Sequence, residues 1–225
     1  MNKPFISYLV TCSTEGNQLN DLIELLIKYI NNNEIRVIQD HDNFQKSEET
    51  EEVLKKYHYR NSEGIHTHLH ALNNNYGEHK NYGKLICAGS WIFQIDGDEI
   101  PNEYLLSVLP EFLKDNDSTE LFWVPRVNIF KGVTEAHARQ WGWNIDNPGK
   151  WVNWHNGDYQ SRIFKNLPHI KWERRLHEKI VGHKTFAHLP KEEEFALIHT
   201  KTIEKQIETN LRYNKLFSEK ENRGI

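Results

Sequence analysis

The stretch Trp91-Ile92-Phe93-Gln94-Ile95-Asp96-Gly97-Asp98-Glu99-Ile100-Pro101 decides how the chain is read. Large apolar residues lead up to two carboxylates, held apart by a glycine, at the point where a strand should end. A short apolar run of this kind reads as a buried strand. In an open α/β sheet the carboxyl ends of the strands form the ligand crevice. Two carboxylates placed there repel each other unless a cation or a ligand's donors satisfy them. Their hard oxygens suit Mg²⁺ or Mn²⁺, ions that complete their shells with substrate phosphates. The stretch therefore points to a metal site for a phosphate-bearing substrate. Asp-Gly-Asp is also ordinary turn chemistry, because Asp caps its own backbone and Gly tolerates positive φ. The flanking segments have to decide between the two.

On the amino-terminal side, residues 5–11 (Phe-Ile-Ser-Tyr-Leu-Val-Thr) read as a first strand, followed by a turn over 12–16. Leu19, Leu22, Ile23, Leu26, Ile27 and Ile30 then recur at helical spacing and make one apolar stripe. Residues 35–39 are a second strand, terminating in Asp40-His41-Asp42. Strand, helix, strand at this spacing is a βαβ unit, with parallel neighbours and a right-handed crossover. Residues 43–64 are polar, with a helix expected around 48–57. A helix over about 79–88 leads into the Trp91 strand. Another follows over 102–114, with Pro101 suited to its start. Residues 121–124 are a further strand. From 128 to 159 the chain turns aromatic and rich in Gly and Asn, with Trp141, Trp143, Trp151 and Trp154, and reads as long loops and short strands. Strand-like pieces at 162–164 and 179–181 precede an amphipathic helix over about 202–217. The fold class is α/β, a mixed and mostly parallel sheet flanked by helices, in a single domain.

Bulk composition excludes several functions. Lys and Arg total 28 against 32 for Asp and Glu in 225 residues, a formal net charge of −4. That near balance argues against a nucleic-acid partner gripped along its backbone. No apolar run approaches the length of a membrane span. Residues 5–12 followed by Glu15 make a poor signal peptide. Cys12 and Cys87 are the only cysteines, too few for a disulfide scaffold, so a reducing, cytoplasmic setting is expected.

Several separated segments together resemble family 2-type glycosyltransferases of the GT-A, Rossmann-like fold, in the small bacterial and phage branch related to lipopolysaccharide-core glucosyltransferases. Trp91 through Glu99 resembles that branch's strand and Asp-x-Asp-Glu motif, and Lys80-Asn81-Tyr82 lies where the family carries a Lys/Arg-Asn pair. Arg162-Ile163-Phe164-Lys165 resembles its Arg-Leu-Phe-Arg segment, and Trp172 with Leu176-His177-Glu178-Lys179-Ile180 its Trp…Val-His-Glu element. Leu197-Ile198-His199, then a helix with Gln206, Asn210 and Tyr213-Asn214, resembles its closing segment. Residues 43–75 and 128–158 match no such pattern.

The resemblance implies a hexosyltransferase that moves a sugar from a UDP-sugar to an acceptor hydroxyl. It divides the single domain of residues 1–225 into a nucleotide-sugar half (1–127), an acceptor and catalytic half (128–201) and a C-terminal helix (202–225). Asp98 would hold Mn²⁺ or Mg²⁺ on the diphosphate, with His199 as second ligand. Mn²⁺ accepts imidazole better than Mg²⁺ does. Asp96 and Gly97 would lie at the nucleotide, Asp96 facing the ribose or reaching the metal through water. Thr11 and Asp40 sit where the family holds the base. The family's Asp-Asp-Gly-Ser is Asp40-His41-Asp42-Asn43 here, which leaves Asp40 and Asp42 as alternatives. Lys80 and Asn81 would meet the donor's phosphate or sugar. Glu178 would be the base that deprotonates the acceptor, with His177 orienting the acceptor or the base, in an inverting displacement. The acceptor would be a glycan, a lipid-linked sugar or a protein.

Other readings compete. His66, His68 and His70 alternate, and on a strand all three rings share one face, as some Zn²⁺ sites require. With Asp40 and Asp42 they would make a metallohydrolase. A non-catalytic nucleotide- or carbohydrate-binding protein of the same fold is the third possibility. The tryptophans fit either a sugar-stacking acceptor site or a packed interior.

Overall fold

The first strand, β1 (Ile6–Cys12), has Ile6, Tyr8, Leu9 and Val10 wholly buried, as a strand covered on both faces must be. The computed structural model of the chain describes residues 3–40, 47–58, 60, 63–146, 151–155 and 157–222. After β1, α1 (Asn17–Ile27) buries the stripe of Leu19, Leu22, Ile23 and Leu26, and β2 (Glu34–Asp40) returns parallel to β1. α2 (Glu48–His58) leads to β3 (Ile65–His70), parallel to β2 and at the edge of the sheet. α3 (Tyr76–Ile86) is capped by the Asn75 side chain, which accepts from Glu78 N, and packs back onto the sheet. Gly83 makes that approach possible: a Cβ there would lie 2.4 Å from the Ile38 side chain and 2.7 Å from Leu9.

β4 (Trp91–Asp96) is the expected buried strand, parallel to β1. The register matches Thr11 with Asp96, Cys12 with Gln39 and Asp40 with His70, so the carboxyl ends of the four parallel strands share one edge. β5 (Glu99–Pro101) follows at once, and α4 (Glu103–Asp115) starts on an Asn102 cap. Pro101 therefore ends a strand and lies just ahead of the helix cap.

In the second half, β6 (Leu121–Lys131) runs well past the four residues expected of it. α5 (Glu135–Trp141), β7 (Ile145–Asp146) and β8 (Trp151–Val152) occupy the aromatic region, and β8 pairs with β6. β9 (Tyr159–Lys165) is antiparallel to both β4 and β6. β10 (Lys171–Glu173) and β11 (Lys179–Val181) form a separate antiparallel hairpin. β12 (Phe186–His188) and β13 (Leu197–Thr202) each lie parallel to β6, and β13 is antiparallel to β5. α6 (Ile203–Leu216) and α7 (Glu219–Asn222) close the described chain. The main sheet runs β3-β2-β1-β4-β9-β6-β13-β5, mixed but mostly parallel.

Two apolar layers flank it. One buries α1, α2 and α4 against residues such as Tyr8, Val10, Phe93 and Ile95. The other buries Leu9, Ile38, Ile92 and Phe164 beneath Trp172 and Ile180 of the β10–β11 hairpin. The hairpin thus lies on the α3 side of the sheet and aims its loop, residues 174–178, at the strand ends. No helix among the described residues is long and apolar enough to cross a membrane.

Candidate active site

A cleft of about 500 Å³ opens over the carboxyl ends of the parallel strands, lined by Thr11, Asp40, Lys80, Asp96, Gly97, Asp98, Arg162, Glu178 and His199 among others. Residues from seven separate segments, spread over 188 positions of sequence between Thr11 and His199, thus meet in one place.

Asp96 sits at the centre of a charge network. Its Oδ1 accepts from Thr11 Oγ1 at 2.9 Å and Gln94 Nε2 at 2.8 Å, and lies 3.2 Å from Lys80 Nζ. Its Oδ2 accepts from Arg162 at 2.6 Å. Burial works to raise its pKa, but Arg162 and Lys80 outweigh it and hold the carboxyl well below the usual range. Arg162 also donates to Glu99 at 2.6 Å and to the Gln94 amide oxygen. Glu99, wholly buried, accepts the Asp96 backbone N–H at 3.1 Å and binds Arg126, which in turn pairs with Asp158 at 2.8 Å. The backbone of the motif is fixed as well: Gly97 N donates to Thr11 O at 2.8 Å, and a Cβ on Gly97 would lie 3.1 Å from that of Cys12.

Asp98 behaves differently from Asp96. Its Oδ2 lies 3.3 Å from His199 Nε2, on a side chain that is 19% accessible. Burial pushes its pKa up, yet the hydrogen bond and charge of His199 bring it down to about 2. His199 is delivered by β13, whose register sets it beside Glu99 on one side and Asn128 on the other. Asn128 Oδ1 engages His199 Nδ1 at 2.9 Å, which directs Nε2 at Asp98. A carboxylate oxygen and an imidazole nitrogen of this kind, side by side at a cleft wall, can share a divalent cation. Among the described residues no cluster of three or more His, Cys, Asp or Glu side chains could hold a metal unaided, so the rest of a shell would come from ligand and water.

Opposite lies the 174–178 loop. Glu178 Oε1 accepts from Lys80 Nζ at 2.5 Å. Burial raises the Glu178 pKa, Lys80 lowers it more, and the carboxyl stays below its ordinary value. Lys80 is 4% exposed, and the attraction of Asp96 and Glu178 outweighs its burial to raise its pKa. His177 lines the cleft, but its Nε2 meets the Asn222 carbonyl at 2.7 Å. Asn81, expected at the donor, spends its amide on the protein: Nδ2 donates to Trp172 O at 2.8 Å and Oδ1 accepts from Trp172 N at 2.9 Å. Asp40 accepts from Leu72 N at 3.0 Å at the far end of the cleft. Asp42 lies outside the described residues.

The histidine row is on β3, as alternation requires, and His70 at its end turns to partners on α3. His70 Nδ1 lies 3.2 Å from His79 Nδ1 and its ring stacks on Tyr82 at 4.0 Å. His66 and His68 are held below the ordinary imidazole range, by burial first and then by Arg36. Of the tryptophans, Trp141 and Trp143 pack on each other at 4.7 Å, and Trp143 stacks on Phe130 at 4.6 Å. Phe130 meets the His199 ring edge-on at 5.9 Å, so these two tryptophans buttress the wall behind His199. Trp151 and Trp154 form their own edge-to-face pair.

Residues that sequence reasoning left without a role are Gln94, Glu99, Arg126 and Arg162 in the network, and Lys201, Lys205 and Arg212 on the cleft wall. A signal existed for the first group. Gln94 and Arg162 are polar residues inside apolar strand runs, and such residues are buried only with partners. No comparable mark distinguishes Lys205 or Arg212 from any solvated helix face.

No protein-family model matches the chain. No curated protein matches it in sequence. Solved structures do share the fold. Residues 1–349 of S. aureus TarS superpose at a TM-score of 0.59 and 13% identity, covering 87% of this chain and 60% of that one. The same fragment in complex with UDP-GlcNAc gives 0.59 and 14%, over 88% and 58%. Its complex with UDP gives 0.60 and 13%, over 92% and 63%. This chain therefore spans about three fifths of those structures. The likeness establishes the fold: the mixed, mostly parallel GT-A sheet read from the sequence is the architecture observed.

Proposed function

We propose that this chain is a metal-dependent glycosyltransferase that moves a hexose from a UDP-sugar to an acceptor hydroxyl. The observation that carries the reading is the meeting of Asp98, His199 and Glu178 in one cleft over the strand ends. TarS, which shares the fold, has been solved with UDP and with UDP-GlcNAc, which supports a UDP-sugar donor. The donor is bound by the 1–127 half and the acceptor enters from the 128–201 half, with the 202–225 segment closing the cleft. Both cysteines are free and buried, which suits a cytoplasmic setting.

Asp98 and His199 would hold Mn²⁺ or Mg²⁺ against the diphosphate. The bound cation supplies charge to offset what grows on the departing diphosphate. Asp96 is saturated by donors from the protein, so in this reading it anchors the strand ends and faces the ribose, meeting the cation only through water. Thr11, Asp40 and Gly97 border the nucleotide. Lys201, Lys205 and Arg212 add positive charge to the phosphate side.

Glu178 takes the proton as the acceptor O–H bond breaks, the acceptor oxygen bonds to the anomeric carbon, and the bond from that carbon to the diphosphate oxygen breaks with its electron pair. Lys80 keeps Glu178 ionised at neutral pH, though at some loss of intrinsic basicity. His177, on the cleft wall beside Glu178, would orient the acceptor or the base. The acceptor itself is a glycan, a lipid-linked sugar or a protein. The tight Lys80–Glu178 pair also favours a second reading, a binding protein of the same fold without turnover.

Release of UDP from a panel of UDP-hexoses separates the two. The transferase reading expects Mn²⁺-dependent release that Glu178→Gln reduces by at least about 10²-fold. UDP binding with no release from any sugar, with or without candidate acceptors, would leave only the binding protein.

A further inference from the structure

Four contacts join the first half of α3 to the hairpin loop that carries Glu178. Tyr76 N donates to Arg175 O at 2.9 Å. Gly77 faces Arg174 O so closely that a Cβ would lie 2.4 Å from it. Lys80 Nζ binds Glu178 Oε1 at 2.5 Å, and the Asn81 amide takes both the N–H and the C=O of Trp172. These residues fall at i, i+1, i+4 and i+5, two adjacent stripes of one helix face. The loop has reason to need such a hold. Arg174 has φ 82° and His177 has φ 51°, left-handed conformations that cost energy for residues with a Cβ and persist only when the surroundings impose them.

We infer that Lys80 and Asn81 are positioning residues for Glu178, and that α3 is the template on which the base loop is set. This rests on Glu178 being the base. The Asn81 amide turns one N–H and its oxygen to the Trp172 backbone, and Asn81 is not among the residues that line the cleft where a sugar or phosphate would lie. Lys80 Nζ spans two carboxylates, 3.2 Å from Asp96 and 2.5 Å from Glu178. It thereby fixes the distance between the strand end that faces the donor and the group that activates the acceptor. Catalysis by a general base depends on that distance, and a displacement of about 1 Å can cost about 10²-fold in rate.

The test compares Asn81→Ala, Asn81→Asp, Lys80→Met and Lys80→Arg with the parent chain, using UDP with Mn²⁺ as the binding probe and UDP release from a UDP-hexose as turnover. Asn81→Ala should lower kcat by about 10²-fold while the UDP Kd stays within about twofold. Asn81→Asp keeps the acceptor for Trp172 N and should fold where the alanine variant does not. It should fall between parent and alanine in kcat. Lys80→Arg should recover at least a tenth of the turnover that Lys80→Met loses. Hydrogen exchange over residues 172–178 should quicken in Asn81→Ala. A UDP Kd that weakens in step with turnover would overturn the inference and make these residues donor ligands, as would unchanged exchange in the loop. If the parent chain releases no UDP at all, the transferase reading fails, while the exchange measurement still decides whether α3 holds the loop.

Discussion

The two walls of the cleft are built by different means. The wall carrying Asp96, Asp98 and His199 is made of strand ends whose positions follow from register: Thr11 with Asp96, and His199 with Glu99 and Asn128. The facing wall is a five-residue hairpin loop with two left-handed residues, held in place by a helix from elsewhere in the chain. Strand register and a buried charge network set the first wall, and contacts from α3 set the second. The first should therefore resist local change and fail only with the fold, whereas the second should lose its function before it loses its fold.

The largest effect belongs to the strand wall. Arg162→Met leaves the buried Glu99 and the half-buried Asp96 with part of their compensation gone, and should cost about 3–5 kcal/mol of stability by urea denaturation. A loss under about 1 kcal/mol would mean that the network is not what rigidifies this wall.

Acid should act on the boundary between the walls. His79, beside Lys80 on α3, is 4% exposed, and burial first, then His70 and Lys80, depress it to about 4. Below pH 6.5 the unfolded imidazole takes up a proton that the folded one refuses until about pH 4. The unfolded state binds more protons across that window, so stability should fall as the pH drops from 6.5 to 4, by on the order of 3 kcal/mol from this group. His79→Gln should flatten that part of the profile in equilibrium unfolding at several pH values.

The loop wall is tested by Gly77→Ala, whose methyl group must displace the Arg174 carbonyl. It should cost about 1–3 kcal/mol and should lower turnover far more than that loss of stability explains. The smallest effect is expected at Arg174→Gly. Relief of the left-handed strain should stabilise the fold by up to about 1 kcal/mol, set against the greater freedom of the unfolded chain. A clear loss of stability there would show that Arg174 side-chain contacts outweigh the strain.

The same contrast explains what could be read from the sequence. β1, α1, β2, β4 and α4 were legible because a short apolar run and an apolar stripe of period 3.6 are local properties. The Asp96–Asp98 motif and His199 were legible as types of residue, and the resemblance supplied their order. Several things could not be read. β13 has no periodic mark of its own, because Leu197 and Ile198 are too short a run to announce a strand; its partners β5 and β6 define it. α5 lay hidden in an aromatic segment whose helix depends on a Thr134–His137 capping box, not on an apolar stripe. The resemblance to a Lys/Arg-Asn pair puts Asn81 at the donor, yet its partner is a backbone 91 residues away. Pairings of that range leave no periodic trace.

The account stands on Asp98 and His199 holding a divalent cation against a bound diphosphate, and titration calorimetry of UDP with and without Mn²⁺ tests it directly. The parent chain should bind UDP only weakly without Mn²⁺, and at least about 10-fold more tightly with it. Asp98→Asn should abolish that gain while leaving the metal-free affinity unchanged. UDP binding of equal strength in the presence and absence of Mn²⁺, or a metal-dependent gain that survives in Asp98→Asn, would contradict it.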